Sequence, residues 1–223
     1  MLFSKESISS VVTALKTSRR ARPPRSECAA RRVSDIMIPG RVRRKRKKGR
    51  TMERGLVQVY TGNGKGKTTA ALGLAMRAAG RGLKVAFIQF MKGCDYGELA
   101  SAARLPNLEI LQYGRECFVS RDDPDPRDVE LARAGLEKAK DAILSGGYDV
   151  VVLDEINVAI DFDLVSLAEA LELLKKKSGG TEVVCTGRYA PRALLEAADL
   201  VTEMVEVKHP FKRGVKAREG IEH

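Results

Sequence analysis

The chain has 223 residues, 43% of them hydrophobic and 31% charged, enough to bury one good core and in keeping with one α/β domain. Its formal charge of +11 is unevenly spread: residues 1–51 hold 16 of the 40 Lys and Arg but 3 of the 29 Asp and Glu, a net +13, which leaves 24 bases against 26 acids for residues 52–223. The near-neutral remainder argues against a nucleic-acid face there, and with no apolar run near the ~20 residues of a membrane span the expectation is a soluble, cytoplasmic protein.

Residues 1–51 show no sustained helix or strand period beyond a short stretch near Ser10–Leu15, and Arg22-Pro23-Pro24-Arg25 with the run Arg41–Lys48 marks a disordered basic extension. It reads as a nucleic-acid or acidic-partner arm, an organelle-targeting peptide, a solvated tail, or sequence outside the native protein with Met52 as the start; the last two are the simpler readings. Residues 52–223 form the expected domain.

Elements then alternate. Leu56–Tyr60 reads as a strand, Lys67–Ala79 as a helix ended by Gly80 and Gly82, Lys84–Phe90 as a strand, and Leu108–Gln112 as another. A helix is expected over Asp128–Leu144 behind the acidic, proline-punctuated Arg121–Arg127. Asp149–Asp154 is a strand, Leu164–Lys177 a helix, Glu182–Thr186 a strand, Pro191–Ala198 a helix and Leu200–Val207 the last strand. Such alternation predicts a largely parallel sheet covered on both faces. Cys28, Cys94, Cys117 and Cys185 form no C-x-x-C pair and His209 and His223 complete no metal set, so structural zinc is not expected, and Cys185 reads as a small core residue.

Two segments carry chemistry. In Thr61-Gly62-Asn63-Gly64-Lys65-Gly66-Lys67-Thr68-Thr69 the glycines allow φ > 0 and turn N–H groups inward, Lys67 offers a cation to the outer phosphates, Thr68 offers a hydroxyl to Mg²⁺, and the following helix points its N-terminus at the anion. The usual phosphate-loop pattern would have glycine at 61, where Thr61 stands. In Tyr148–Glu155 an apolar strand brings Asp154 and Glu155 to the same edge of the sheet, where they can hold Mg²⁺ (or Mn²⁺) directly or through water; the alternative is that they cap the next helix. The two motifs together indicate a nucleoside triphosphate and a divalent ion. They leave open a kinase or ATPase acting on the γ-phosphate, and a nucleotide-dependent nucleic-acid-binding module using the basic arm.

Further motifs choose among these. Phe87–Gly93 with Tyr96-Gly97-Glu98, Thr186-Gly187-Arg188 through Arg192, and Val205–Ile221 with Val207-Lys208-His209 and Gly214-Val215-Lys216-Ala217 resemble the P-loop ATP:corrinoid adenosyltransferases. The resemblance runs from about Leu56 to the C-terminus, takes in Thr61 as a family trait, and implies a three-layer α/β P-loop NTPase fold of RecA-like type. It departs in a Lys92–Glu98 loop without the tryptophan some members carry near the corrinoid, and in having no counterpart to residues 1–51. It implies that the Co(I) of a reduced corrinoid (cob(I)alamin, cobinamide or cob(I)yrinic acid a,c-diamide) attacks C5′ of ATP and expels triphosphate, in cobalamin biosynthesis or salvage. An electron donor such as a reduced flavoprotein and a homodimer are further implications. On this resemblance Lys67, Thr68 and Glu155 are the catalytic residues, and Thr68, Asp154 and Glu155 hold the metal. The residues Thr61–Thr69, Arg188, Lys208 and His209 meet nucleotide or corrinoid, with Phe90, Met91 and Tyr96 as candidates to cover the corrinoid's lower face. Arg192, Lys212, Lys216 and Arg218 are further basic candidates, against a solvated role.

Overall fold

The computed structural model describes residues 52–116 and 119–222, so the expectations for residues 1–51, and for Cys28 and Cys117, lie outside the described residues. Six strands run in chain order as β1 (Val57–Thr61), β2 (Val85–Phe90), β3 (Leu108–Tyr113), β4 (Val150–Asp154), β5 (Glu182–Thr186) and β6 (Leu200–Glu203). They form one parallel sheet in the order β3-β2-β4-β5-β1-β6. The helices are α1 (Lys67–Gly80), α2 (Gly97–Ala102), α3 (Pro126–Leu144), α4 (Ile156–Asp161), α5 (Leu167–Lys176) and α6 (Arg192–Ala197), followed by a 3₁₀ turn at Pro210–Arg213.

This order, with right-handed crossovers, dictates the layers. From β1 the chain steps toward β2 and β3, which puts α1 and α2 on one face; from β3 it steps back through β4, β5 and β6, which puts α3 to α6 on the other. The core divides accordingly. Ala71, Ala75, Ala78 and Ala79 of α1 lie on Phe87, Val150, Val152 and Val184, the small residues letting helix and sheet approach closely. The larger cluster joins Val59, Ile88, Phe90, Val151, Leu153 and Val183 to Leu136, Ile143, Ile156, Ile160, Leu173 and Leu194. Strands β2 and β4 are buried along their whole length, which is why they read as continuous apolar runs, whereas all four residues of β6 are exposed at the sheet's edge.

Boundaries differ from expectation where local chemistry decides. Asp125 caps α3 by accepting from Arg127 N at 2.8 Å, and Pro126 occupies the first turn where its missing N–H is harmless, so this helix starts two residues before Asp128. The last strand stops at Glu203, beyond which the chain folds against the phosphate loop instead of extending the edge. Two short helices, α2 and α4, have too few residues for a period to show, and α5 begins at Leu167 instead of Leu164.

Candidate functional site

Helices leave β1 and β5 on opposite faces, as they do β2 and β4, and such reversals open crevices at the carboxyl ends of the strands. The chemistry-bearing residues gather there. Gly62 (φ 92°) and Gly66 (φ 124°) take the left-handed backbone that the loop requires. Gly64 does not, contrary to expectation; it is glycine for space, since a Cβ there would stand 2.7 Å from Met204 O, to which Gly64 N donates at 2.6 Å. The buried Lys67 ammonium lies inside the loop's curve, donating to Gly62 O at 2.8 Å and Gly64 O at 2.9 Å. Burial pulls its pKa below the ordinary lysine range, Glu155 pulls the other way, and Arg188 adds to the lowering. Asn63, Lys65 and Thr69 are exposed, and Lys65 Nζ binds Ile221 O at 3.0 Å and the Glu222 carboxylate at 2.9 Å, so the C-terminal residues lie along the loop's outer side. Thr61 closes β1, paired with Glu203, and its hydroxyl accepts from Ala190 N at 3.4 Å.

Asp154 is fully buried and both of its carboxylate oxygens are hydrogen-bonded. Its Oδ1 accepts from Thr186 Oγ1 at 2.7 Å and Thr68 Oγ1 at 2.9 Å; its Oδ2 accepts from Lys92 Nζ at 2.8 Å and Gln89 Nε2 at 3.3 Å. Gln89 is itself held by Gln112, which donates to its Oε1 at 3.1 Å. Thr186 also accepts from Glu155 N at 3.0 Å. Glu155 stands at the N-cap position of α4 with φ 62° and makes no side-chain capping bond, so its carboxylate is free to face the crevice. Burial raises its pKa, Asp154 raises it further, and Lys92, Lys67 and Arg188 oppose them. Burial works against the Lys92 ammonium, but the charge and hydrogen bond of Asp154, with Glu155 and Glu98 behind them, raise its pKa above the usual lysine value. The donor set of Thr68, Asp154 and Glu155 is all oxygen and suits an ion that keeps waters and phosphate oxygens; among the described residues no group of three or more His, Cys, Asp or Glu could enclose a metal unaided.

A cavity of about 970 Å³ opens on this cluster and takes in Gly64 to Thr69, Tyr96, Glu155, Arg188 and His209 from the sequence expectations. Thr61, Gly62 and Asn63 lie outside this lining, and other expectations move as well. Phe90 is fully buried in the core, packed where a Cβ on Gly135 would come within 3.0 Å of its ring, because a strand alternates its faces and position 90 turns away from the crevice; Met91 lines the cavity instead. Lys208 is exposed and outside the cavity lining, and Asp154 sits behind the wall, reached through Thr68 and Lys92. Arg192 pairs with Glu196, one turn along its own helix, at 2.7 Å. Residues that sequence reasoning passed over as site members are Gln89, Lys92 and Thr186. The first and last left a signal: a fully buried amide within Val85–Phe90 and a fully buried hydroxyl ending Glu182–Thr186 both need partners, and the strand ends supply them. Met91, Val119, Val158 and Phe162 add apolar surface to the cavity lining.

The model of the family described as ATP:corrinoid adenosyltransferase BtuR/CobO/CobP matches residues 53–223. A corrinoid adenosyltransferase from Sinorhizobium sp is 41% identical over 182 residues, 78% of this chain and 82% of that protein. Those of Pseudomonas aeruginosa and Escherichia coli K12 are 39% and 37% identical, covering 76% and 77% of this chain and 84% and 87% of their own lengths. With the phosphate loop, the Asp154 cluster and the cavity all inside the matched span, the chain belongs to the ATP:corrinoid adenosyltransferase family.

Proposed function

We propose that the domain of residues 52–223 transfers the 5′-deoxyadenosyl group of ATP to the Co(I) centre of a reduced corrinoid and releases triphosphate, residues 1–51 being an extension outside the catalytic domain. The observation that carries the assignment of roles is the hydrogen bond of Thr68, which lines one large and partly apolar cavity, to the buried Asp154 behind it, 2.9 Å away. Cobalt supplies the electron pair that forms the Co–C5′ bond, and the C5′–O bond breaks with its pair leaving on the triphosphate, so no protein nucleophile or base is needed. What the chain contributes is alignment, exclusion of water and stabilisation of the departing charge. The loop N–H groups of Asn63 and of Lys65 to Thr68, with the Lys67 ammonium, face the leaving group, with Arg188 at the rim, while Gly64 N stays on Met204 O. Thr68, with Asp154 or Glu155, holds a Mg²⁺ or Mn²⁺ that neutralises triphosphate charge. Met91, Tyr96, Val119, Val158 and Phe162 cover apolar corrinoid surface, and His209 meets the bound substrates from the C-terminal segment.

A reduced flavoprotein or comparable electron donor supplies Co(I), and cob(I)alamin, cobinamide and cob(I)yrinic acid a,c-diamide are the acceptors to compare. Among the described residues no helix is long and apolar enough to cross a membrane. A cytoplasmic location accords with the free Cys94 and Cys185, and a homodimer with the exposed apolar edge of Leu200 and Val201 on β6. The test is anaerobic incubation with ATP, Mg²⁺ and each chemically reduced corrinoid, following the corrinoid spectrum and the phosphate product. Adenosylcorrinoid with intact tripolyphosphate is expected. ADP and phosphate with an unchanged corrinoid spectrum overturns the proposal in favour of γ-phosphate chemistry.

A further inference from the structure

Lys92 Nζ sits on the two oxygens that the preceding reading gives to the metal, 2.8 Å from Asp154 Oδ2 and 3.4 Å from Thr68 Oγ1. Its placement is built into the backbone. Met91, at the end of β2, takes φ 57°, a conformation rare for a residue with a side chain, and its N–H is held by Tyr113 O at 2.9 Å. The turn that follows is pressed against a neighbouring loop: a Cβ on Gly93 would meet Gly114 O at 2.4 Å, and one on Gly114 would meet Lys92 N at 2.2 Å. A strained, locked turn that ends in a cation on a buried carboxylate is a constructed feature.

The Asp154 carboxylate has a full set of donors, so a divalent ion arriving at it must displace one. Thr186 and Gln89 are fully buried and have nowhere to go. Lys92 is different: its side chain is 16% exposed, it lines the cavity, and the Tyr96 ring 5.5 Å away offers the ammonium a second berth. We infer that Lys92 is a tethered cation that yields Asp154 Oδ2 to the divalent ion and turns its ammonium onto the triphosphate, so that the leaving group meets two lysines, Lys67 and Lys92. A lysine suits this exchange, since its four-carbon stem is flexible and its three N–H donors can serve either carboxylate or phosphate.

The inference rests on Thr68 and Asp154 as metal-holding residues, and the test separates the two ideas. Mn²⁺ binding to the full chain, read from the electron paramagnetic resonance of the free ion, is compared without nucleotide and with ATP for the wild type, Lys92→Met, Lys92→Arg and Asp154→Asn. Binding of inorganic tripolyphosphate is measured by calorimetry at saturating Mg²⁺, where Asp154 is occupied and the Lys92 ammonium is displaced. Relieved of its competitor, Lys92→Met is expected to bind Mn²⁺ without nucleotide about tenfold or more tightly than the wild type, and tripolyphosphate about tenfold more weakly, while Lys92→Arg stays near wild type in both. If Lys92→Met does not fold, Lys92→Gln, which keeps a donor to Asp154, carries the same comparison. Mn²⁺ affinity no greater than wild type, or unchanged tripolyphosphate affinity, overturns the inference. Mn²⁺·ATP binding indifferent to Asp154→Asn overturns the metal reading beneath it.

Discussion

Thr186→Val exchanges one hydroxyl for a methyl group of similar size, and the consequences can be worked through. That hydroxyl donates to Asp154 Oδ1 at 2.7 Å and accepts from Glu155 N at 3.0 Å, and the residue is fully buried, so no water replaces it. A hydrogen bond to a charged acceptor contributes roughly 1.5–3 kcal/mol, and an N–H left buried without a partner costs roughly 1–3 kcal/mol. Asp154 keeps Thr68, Gln89 and Lys92, which softens the first loss, so the expected destabilisation is about 2–4 kcal/mol. The same hydroxyl holds Glu155 in its left-handed backbone conformation, and slackening there disturbs the carboxylate aimed at the cavity. Adenosylation kcat/KM is therefore expected to fall about 10- to 100-fold, with about 1.4 kcal/mol to each factor of ten. Urea unfolding and anaerobic adenosylation of Thr186→Val, beside Thr186→Ser, check both figures; the serine variant retains the hydroxyl and stays within about threefold of wild type. A valine variant with the wild-type unfolding midpoint and rate would refute the claim that this hydroxyl organises the site.

Other expectations follow from burial and contact. Lys67→Ala is expected to weaken tripolyphosphate binding and cut the adenosylation rate about 100-fold or more, read by calorimetry and by the corrinoid spectrum. Phe90→Ala opens a core cavity and costs about 3–5 kcal/mol of stability, yet leaves the corrinoid KM near wild type at temperatures where the variant is folded; a large rise in that KM with unchanged stability would return Phe90 to the site. Burial pushes the Cys185 thiol up to about 12, so at pH 8 it stays protonated and shielded, and a brief alkylation pulse mapped by mass spectrometry labels the partly exposed Cys94 in preference. The sign follows: because folding raises this pKa, stability is lost as pH climbs above the ordinary thiol value toward 12, and Cys185→Ala removes that component of the alkaline loss.

How far the site could be read in advance depended on whether its members lie close in sequence. The phosphate loop is one contiguous run whose residue types dictate its shape, and the Asp154–Glu155 pair ends an apolar strand, so both were legible, as was the alternation that makes the sheet parallel. Gln89, Lys92 and Thr186 come from two other strand ends and reach Asp154 because β2 and β5 flank β4 in the sheet. Strand order is a tertiary fact, and periodicity does not contain it. Phe90 and Met91 show the limit at finer grain: both meet the larger core cluster, but Phe90 is wholly enclosed in it whereas Met91, at a left-handed turn with no compositional mark, also lines the cavity.

Thr61 joins these scales. Where the usual phosphate loop has glycine, this chain keeps a residue that extends β1 by one more pairing, to Glu203, and whose hydroxyl meets Ala190 N at 3.4 Å. Met204 N also donates to Thr61 O at 2.9 Å, and Met204 O in turn receives Gly64 N, so the entry to the loop is tied on one side to β6 and on the other to the loop that carries Arg188 and Tyr189. A glycine at 61 would keep the two backbone ties and lose the hydroxyl, leaving the Arg188 loop held to this strand by Gly187 N on Tyr60 O at 3.1 Å but loosened at Ala190, without disturbing Lys67. Thr61→Gly should therefore leave tripolyphosphate affinity near wild type and lower the rate of adenosyl transfer. Equal losses in both would place Thr61 in phosphate binding alone.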